Sequence, residues 1–377
     1  MTGKERMAVA MALRAPDRVP VMAQMAMGHI YLQTGLSPVE VWHDSAVYAD
    51  ALCLMRERYG FDGILVSVPG SDPEWRTKIS SLEERGGHYR ITWRSPVDNH
   101  SPYPLGVRTL YRNDDLPEPL DRPVLPTIQE SAPETIAVLD PVPDWMLSNV
   151  RAVLARAGAD FSIHGETFSA FDKLVEVLGP VNALVALIDA PAKVHAVLER
   201  GVAYAVNWGI AQAQAGCDAI KISSPFVGSG FLSRDMYREF VMPYEREVIR
   251  RINAAAPGVV VYTHTCGAIG DRLELIAESG TDGLECLDPP PLGDVELAEA
   301  KRRVGASLFI KGNVDSVNTL LMKDLAGCRE DVREALRAGR PHGGFILSTA
   351  CSIAPPVRAE HVRVLVEVAE AEGTYDR

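Results

Sequence analysis

Residues 259–312 read VVVYTHTCGAIGDRLELIAESGTDGLECLDPPPLGDVELAEAKRRVGASLFIKG. Three short runs of apolar and β-branched residues, Val259–His264, Gly283–Leu287 and Ser307–Gly312, have the length and composition of strands. Two segments of helical period, Asp271–Glu278 and Val295–Arg303, separate them. Strands that alternate with helices pair in parallel through right-handed crossovers. This stretch therefore predicts an α/β protein with a parallel sheet.

The same alternation extends to both sides of this stretch. Further strands are predicted at Val19–Gln24, Gly63–Val68, Phe161–Gly165, Ala219–Ser223 and Gly344–Ser348, and further helices at Arg234–Ala255 and Cys328–Ala338. Eight such units favour a closed (β/α)₈ TIM barrel. An open doubly wound sheet would place a glycine-rich turn after its first strand. Here Met25–His29 follows the first strand and is no phosphate-binding fingerprint.

An insertion is predicted between the second and third strands. Two alternating runs, His88–Val97 and Gly106–Arg112, flank the turn-forming residues 99–102 and indicate an antiparallel hairpin. No internal repeat or low-complexity tail divides the chain. We expect one TIM-barrel domain over residues 1–377, with an inserted excursion at about residues 70–145.

The composition excludes several classes of protein. The chain has 377 residues, of which 47% are hydrophobic and 23% charged, and its formal net charge is -12. An acidic chain is a poor platform for nucleic acid or for a basic membrane-binding surface. No apolar run is long enough for a transmembrane helix, and residues 1–20 lack the apolar core of a signal peptide. We expect a cytoplasmic protein whose six cysteines stay reduced, as core residues or metal ligands.

Chemically versatile side chains follow the strands at the expected mouth of the barrel. His264 and Cys266 end the fifth predicted strand, Glu285 lies in the sixth, and Cys351 follows the eighth. Residues i and i+2 of an extended chain point to the same side, so His264 and Cys266 can both face the mouth. Imidazole, thiolate and carboxylate groups are the ligands of tetrahedral zinc. These four residues predict a zinc site; the alternative is that Cys266 and Cys351 are small buried hydrophobic residues.

The other cysteines have positions typical of core residues. Cys53 and Cys328 lie in helical segments, and Cys217 precedes the fourth strand. Cys286 is the strand neighbour of Glu285, and strand neighbours point to opposite faces. If Glu285 faces the mouth, Cys286 should therefore face the surrounding helices.

Further polar residues could line a substrate pocket. His164 and Glu166 lie at the end of the third strand and are candidates for acid/base catalysis, or for a hydrogen-bonded supporting role. His29 and Tyr31 follow the first strand, and Asn313 ends the seventh, so these three are candidates for binding substrate.

Two charged residues flank the fourth strand. Asp218 precedes Ala219–Ser223 and Lys221 lies within it. Opposite charges this close in sequence indicate a structural ion pair more strongly than a catalytic pair.

The motif His264-Thr265-Cys266, together with a distant cysteine in Leu347–Pro356, resembles the uroporphyrinogen decarboxylase superfamily. Within that superfamily it is most similar to the zinc-dependent methyltransferases that act with corrinoid proteins. The segments Ala211–Asp218, Phe231–Tyr244 and Gly312–Asp315 also resemble the superfamily. The resemblance implies that His264, Cys266 and Cys351 bind zinc. A similar order of ligands in cobalamin-independent methionine synthase implies Glu285 as a fourth ligand that substrate can displace.

One departure from the decarboxylases concerns their substrate. Those enzymes carry an arginine-rich motif just after the first strand, which holds porphyrin carboxylates. Residues 21–31 of this chain contain no arginine. A substrate with many carboxylates is therefore a poor match, and the net charge of -12 makes it poorer.

The expected function is transfer of a methyl group between a corrinoid and a zinc-activated small molecule. Zinc keeps a coordinated thiol deprotonated, so the activated substrate could be a thiol, or a methoxy or methyl donor if the transfer runs the other way. No Asp-x-His-x-x-Gly corrinoid-binding segment is visible, which implies free cobalamin or a separate corrinoid protein. A decarboxylase-like lyase and a non-catalytic barrel with a structural zinc are the alternatives. A homodimer is left open.

Overall fold

A computed structural model of the protein describes residues 1–94, 108–111, 118–119, 125–131 and 133–375. The strands in chain order are β1 (Gly63–Val66), β2 (Ile79–Arg85), β3 (His88–Trp93), β4 (Arg108–Tyr111), β5 (Glu118–Pro119), β6 (Ser162–Phe168), β7 (Ala219–Ser223), β8 (Val260–Thr265), β9 (Gly283–Cys286), β10 (Phe309–Val314) and β11 (Phe345–Thr349). Seven of them form one parallel sheet in the order β1-β6-β7-β8-β9-β10-β11.

Helices follow the strands of this sheet and cover its outside. They are α1 (Gly3–Met11), α2 (Met27–Thr34), α3 (Pro38–His43), α4 (Ser45–Tyr59), α5 (Ser148–Ala157), α6 (Ala170–Asp189), α7 (Pro191–Ala215), α8 (Arg234–Phe240), α9 (Met242–Ala255), α10 (Leu273–Glu278), α11 (Leu297–Val304), α12 (Leu325–Gly339) and α13 (Ala359–Glu372). Short 3₁₀ turns lie at Trp75–Lys78, Pro133–Thr135, Asp144–Leu147 and Gly270–Arg272. Within the described part of the chain, no helix is both long and apolar enough to cross a membrane.

The TIM-barrel prediction is confirmed, but the first predicted strand is not a regular strand. Residues 19–24 meet β11 through an isolated bridge between Val21 and Leu347, and the Asp62 amide beside β1 donates to the Val21 carbonyl at 2.8 Å. This segment closes the ring between β11 and β1. A continuous ladder cannot form because Pro20 has no amide proton and the Val21 amide donates to the Asp62 carboxylate instead.

The amino-terminal end of the barrel is closed by α1. Its side chains Met7, Ala10 and Met11 pack against an apolar layer inside the barrel, whose main members are Leu65, Tyr262, Phe309 and Ile346. We call these four residues the lower layer. Thr2 and Glu5 form a reciprocal capping box that starts α1, and Lys4 pairs at 3.0 Å with Asp218, just before β7.

The hairpin prediction between the second and third strands is confirmed in part. Strand β3 pairs with β4 in an antiparallel register, as expected, whereas the predicted turn at residues 99–102 lies outside the described residues. Strand β2 was not predicted; it pairs with β3 around Gly86 and Gly87, both at positive φ. The small sheet has the order β2-β3-β4-β5. The extent of the excursion and the single-domain organisation stay predictions.

Candidate metal centre

Three of the predicted metal ligands lie together at the carboxyl ends of the barrel strands. His264 Nε2 is 3.2 Å from Cys266 Sγ, and Cys266 Sγ is 3.9 Å from Cys351 Sγ. Strand β8 supplies the first two residues, and the loop after β11 supplies the third. His264 is buried, while both cysteines are half-buried and so face the mouth. Cys266 and Cys351 are 85 positions apart in the sequence, and they meet because the ring of strands brings them together.

A fourth member of this group, Cys286, was missed. The ligand atoms of His264, Cys266 and Cys286 all lie within 4.8 Å of one another. Strand alternation predicted that Cys286 would face the helices, and this prediction was wrong. Cys286 is in register with Thr265 and Gly312, two positions that strand alternation places on the outward face of the barrel. However, Cys286 ends β9 with a φ of 88°, and this conformation breaks the alternation of side-chain directions. We call His264, Cys266, Cys286 and Cys351 the His/Cys cluster.

The donor set of this cluster fits zinc. Thiolate sulfur and imidazole nitrogen are the ligands that zinc takes in tetrahedral sites. The Cys266 thiol is the most acidic of the group, since hydrogen bonds from Cys286 and Cys351 lower its pKa to about 5. Burial raises the pKa of Cys286, and the hydrogen bond with Cys266 raises that of Cys351. One ready thiolate with two more sulfurs beside it is a site prepared for a thiophilic cation.

Glu285 lies on the far side of His264 from the sulfurs. Its Oε2 accepts a hydrogen bond from His264 Nδ1 at 3.1 Å, whereas Nε2 faces Cys266. A carboxylate only accepts, so the Nδ1 atom carries the proton and the Nε2 lone pair is directed at the cluster. This is the arrangement that a carboxylate uses to orient a metal-binding histidine. The structure therefore brings Glu285 to the site, but through His264.

Two buried lysines neutralise the carboxylates beneath the cluster. Lys311 contacts Glu285 Oε1, and Lys221 lies 3.0 Å from Glu166 Oε1 and 3.8 Å from Glu285 Oε2. Burial would raise the pKa of Glu285, but the two lysines and His264 outweigh it and hold that pKa well below its usual range. We call Glu166, Lys221, Glu285 and Lys311 the ionic layer.

The ionic layer replaces the ion pair expected from the sequence. Asp218 does not pair with Lys221; it pairs with Lys4 and accepts a hydrogen bond from the Ile163 amide at 2.9 Å. Lys221 instead reaches into the barrel, where its Nζ donates a hydrogen bond to Gln24 Oε1 at 2.6 Å. The signal that could have identified the layer is a lysine in the middle of an otherwise apolar strand, which occurs at Lys221 and again at Lys311.

The candidate acid/base residues His164 and Glu166 occupy different surroundings. Both ring nitrogens of His164 are hydrogen-bonded at 3.0 Å, one to Ser162 Oγ and the other to Tyr262 OH. Burial lowers the pKa of His164 to about 3, so its ring is neutral. Glu166 accepts from Ser223 and pairs with Lys221 in the ionic layer. Both residues thus have structural partners, and their catalytic roles stay predictions.

The candidate substrate-binding residues His29, Tyr31 and Asn313 are all buried. His29 is buried on α2, where its Nε2 is 2.8 Å from Tyr59 OH. Tyr31 is buried on the same helix. Asn313 donates to the carbonyl of Leu287 at 3.0 Å, directly after Cys286. None of these contacts tests substrate binding, but Asn313 holds the turn that carries one of the sulfurs.

A barrel of parallel strands with a His/Cys cluster at their carboxyl ends defines the class of this protein. The uroporphyrinogen decarboxylase (URO-D) family profile matches residues 105–372. The chain therefore belongs to the uroporphyrinogen decarboxylase family, and the resemblance inferred from its motifs is confirmed.

Curated relatives and a solved structure agree with this assignment. A uroporphyrinogen decarboxylase of Ruthia magnifica subsp. Calyptogena magnifica is 28% identical over 186 residues, 48% of this chain and 50% of that protein. The methylcobamide:CoM methyltransferase MtaA of Methanosarcina barkeri is 28% identical over 162 residues, 43% and 44% of the two chains. The chain thus spans about half the length of the curated relatives it matches. A methyltransferase from Methanosarcina mazei has the same fold, with TM-score 0.73, 18% identity and coverage of 98% and 99%.

Proposed function

We propose that the protein is a zinc-dependent methyltransferase that moves a methyl group between a corrinoid and a zinc-activated small molecule. The observation that carries this proposal is the meeting of His264, Cys266 and Cys351 at one mouth of the barrel. Uroporphyrinogen decarboxylation requires no thiolate-rich metal site, so this cluster favours the methyltransferase branch of the family. The similarity to methylcobamide:CoM methyltransferase MtaA supports the same choice.

Each member of the site has a distinct task in this proposal. His264 Nε2, Cys266 Sγ and Cys351 Sγ would hold zinc, which when bound supplies a positive charge that keeps a substrate thiol deprotonated. Glu285 fixes the tautomer and the direction of the His264 ring through its 3.1 Å hydrogen bond. We therefore assign Glu285, predicted as a displaceable ligand, to positioning His264.

The ionic layer keeps that positioning carboxylate charged. A buried carboxylate with no counter-charge would take up a proton, and the hydrogen bond to His264 would weaken. Lys311 and Lys221 prevent this by direct pairing, and Glu166 balances the second lysine. We accordingly assign Glu166 a supporting electrostatic role, and His164 a supporting hydrogen-bonding role next to Tyr262.

The corrinoid is proposed to come from outside this chain, either as free methylcobalamin or on a separate corrinoid protein. The second substrate is a small molecule, with a thiol as the leading class because three protein sulfurs surround the site. A methoxy or methyl donor, used in the opposite direction of transfer, fits the same site.

The test is a methyl-transfer assay with free methylcobalamin and a panel of thiols, followed through the cobalamin absorption spectrum. We expect thiol-dependent loss of the methylcobalamin spectrum, abolished by chelator and restored by Zn²⁺ but not by Mg²⁺. Protein that contains no zinc after purification without chelator, and takes none up, would rule the proposal out.

A decarboxylase-like activity is the second candidate, because uroporphyrinogen decarboxylases from several bacteria match this chain over similar lengths. Residues 21–31 carry no arginine to hold porphyrin carboxylates, which argues against it. Incubation with uroporphyrinogen separates the two candidates. Decarboxylated products that form equally well with and without chelator would favour the lyase.

A further inference from the structure

Cys286 is the residue of the His/Cys cluster whose position nothing in the sequence motif explains. Cys286 Sγ, Cys266 Sγ and a ring nitrogen of His264 all lie within 4.8 Å of one another, and Cys286 is fully buried. We propose, as a refinement that rests on the proposed function, that Cys286 rather than Glu285 is the fourth protein ligand of the metal site. The resting site is then one imidazole and three sulfurs.

The backbone around Cys286 is built to present this sulfur. Cys286 and Leu287 have φ values of 88° and 55°, a left-handed conformation that non-glycine residues adopt at an energetic cost. The turn needs room beneath it, and Gly312 provides that room: a Cβ there would lie 2.7 Å from the Cys286 carbonyl oxygen. Asn313 then holds the Leu287 carbonyl at 3.0 Å. A strained conformation supported from two sides indicates that the direction of the side chain matters.

The loop that follows Cys286 is also tied to the loop that carries Cys266. The Asp288 carboxylate accepts a hydrogen bond from the Gly267 amide at 2.7 Å. Asp288 lies two residues after Cys286, and Gly267 directly follows Cys266. This contact couples the two backbone turns, so the two sulfurs are held near each other by the fold itself.

Glu285 is poorly placed to serve as the fourth ligand. One of its oxygens contacts Lys311, and the other accepts from His264 Nδ1 and lies 3.8 Å from Lys221. To reach the sulfur side of His264 the carboxylate would have to leave the fully buried Lys311 without its paired carboxylate, which is unfavourable. Cys286 needs no such exchange, because its sulfur already lies within 4.8 Å of Cys266 Sγ and of a ring nitrogen of His264.

The deciding experiment is zinc-edge X-ray absorption on the full-length, zinc-loaded wild-type protein with no thiol added. We expect a shell of three sulfurs at about 2.3 Å and one nitrogen at about 2.0–2.1 Å. A shell of two sulfurs with two nitrogen or oxygen atoms would overturn the role of Cys286 as a ligand. The wild-type protein suffices, so the result does not depend on whether a variant folds.

Cobalt substitution gives an independent count of the sulfurs. In Co²⁺-loaded protein we expect C286S to lose about a third of the sulfur-to-cobalt charge-transfer absorbance, because one of three thiolates is gone. C328S removes a buried cysteine in α12 and E285Q removes the carboxylate, and both should keep the full absorbance once they are saturated with Co²⁺. Unchanged absorbance in folded C286S would contradict the inference.

The same measurements separate this inference from the proposed function. A wild-type protein that binds neither Zn²⁺ nor Co²⁺ overturns both. A protein that binds zinc through two sulfurs and still transfers methyl groups overturns only the role of Cys286. A three-sulfur shell whose cobalt spectrum is unaffected by every added thiol, in a protein that transfers no methyl group, supports Cys286 as a ligand but makes the site closed and structural, which overturns the methyltransferase.

Discussion

Inside the barrel, the lower layer is apolar and aromatic, whereas the ionic layer one step further along the strands is charged. Tyr262 and His264 are two residues apart on β8, and Phe309 and Lys311 are two residues apart on β10. All four are almost fully buried. Two residues span about 6.6 Å of a parallel strand, so the character of the interior changes within that distance.

The difference between the layers separates stability from chemistry. The lower layer packs against α1 and contains no charged group, so it contributes through apolar burial. The ionic layer gains little net stability from burying charges, since desolvation offsets their attraction. In the proposed function, its role is to hold Glu285 and His264 in place under the sulfurs. Substitutions in the two layers should therefore have different consequences.

The largest effect is expected at the sulfurs. Cys351→Ser should leave the fold intact but lower zinc affinity by more than the ~10–100-fold typical of residues that only support a ligand, and methyl transfer should fall in parallel. Metal analysis and the methylcobalamin assay check this. Cys53→Ser, at a half-buried cysteine on α4, is the matched control and should change neither. Full zinc content in Cys351→Ser would remove this residue from the site.

The lower layer should show the reverse behaviour. Phe309 is fully buried, its ring lies 5.6 Å from that of Tyr262, and it fills the space over Gly283. Phe309→Ala should destabilise the protein by about 3–5 kcal/mol because it leaves a cavity that rigid strands cannot close. Denaturant unfolding measures this. At temperatures where the variant is folded, its zinc stoichiometry should equal that of the wild type; a loss of metal would show that the layers are coupled.

Much of the barrel and part of the site could be predicted from the sequence. Strand β8 and strand β10 are apolar runs bounded by helical segments, so their pattern is local and readable. His264 and Cys266 were placed at the mouth because two residues apart on a strand means the same face. Cys351 could be added because the fold, once predicted, brings distant strand ends together.

The remainder depends on features that no local pattern carries. The orientation of Cys286 follows from a positive φ, and nothing about a non-glycine residue signals it in the sequence. Residues 19–24 have the composition of a strand, but the carboxylate of Asp62, directly before the neighbouring strand β1, accepts the hydrogen bond of the Val21 amide. Lys221 was assigned to the nearby Asp218 because its true partner, Glu166, comes from another strand. The last two misses are long-range contacts that overrode a local expectation, whereas the first is a local backbone conformation.

The link between the ionic layer and the sulfurs is tested by Glu285→Gln. Glutamine keeps an oxygen to accept from His264 Nδ1 but removes the charge that pairs with Lys311. We expect zinc affinity to fall by ~10–100-fold, as for other residues that orient a metal-binding histidine. Competition with a chelator of known affinity measures it. Glu245→Gln, at a buried carboxyl that accepts hydrogen bonds from the hydroxyls of Ser224 and Tyr237, should leave zinc affinity unchanged.

The buried Glu245 carboxyl should make the free energy of unfolding depend on pH in the sense opposite to that of Glu285, whose pKa is lowered. Glu245 accepts hydrogen bonds from the hydroxyls of Ser224 and Tyr237, and burial raises its pKa from 4.5 to about 7. Between these values the folded protein holds a proton that the unfolded chain has released, so the free energy of unfolding falls as pH rises from 4.5 to 7 and then levels off.

Glu245→Gln should remove this contribution, which is about 3 kcal/mol across the window. Urea unfolding at a series of pH values checks it. The control is Glu247→Gln, at an exposed carboxylate on the same helix α9 that pairs with Arg250. If Glu245→Gln and the wild type keep parallel stability curves through this range, the carboxyl is ionised in the folded protein and the hydroxyls suffice to solvate it.

The smallest effect is expected where α1 begins, below the lower layer. Thr2 Oγ1 accepts from the Glu5 amide at 3.1 Å, and Glu5 Oε2 accepts from the Thr2 amide at 2.9 Å. Thr2→Ala should cost about 1 kcal/mol of stability and leave zinc content unchanged. Thr77→Ala is the control, since among the described residues the structure gives its exposed hydroxyl a hydrogen bond only back to the Glu74 carbonyl. Equal stability of both variants would mean that Met7 and Met11, packed under the barrel, hold α1 in place without help from its cap.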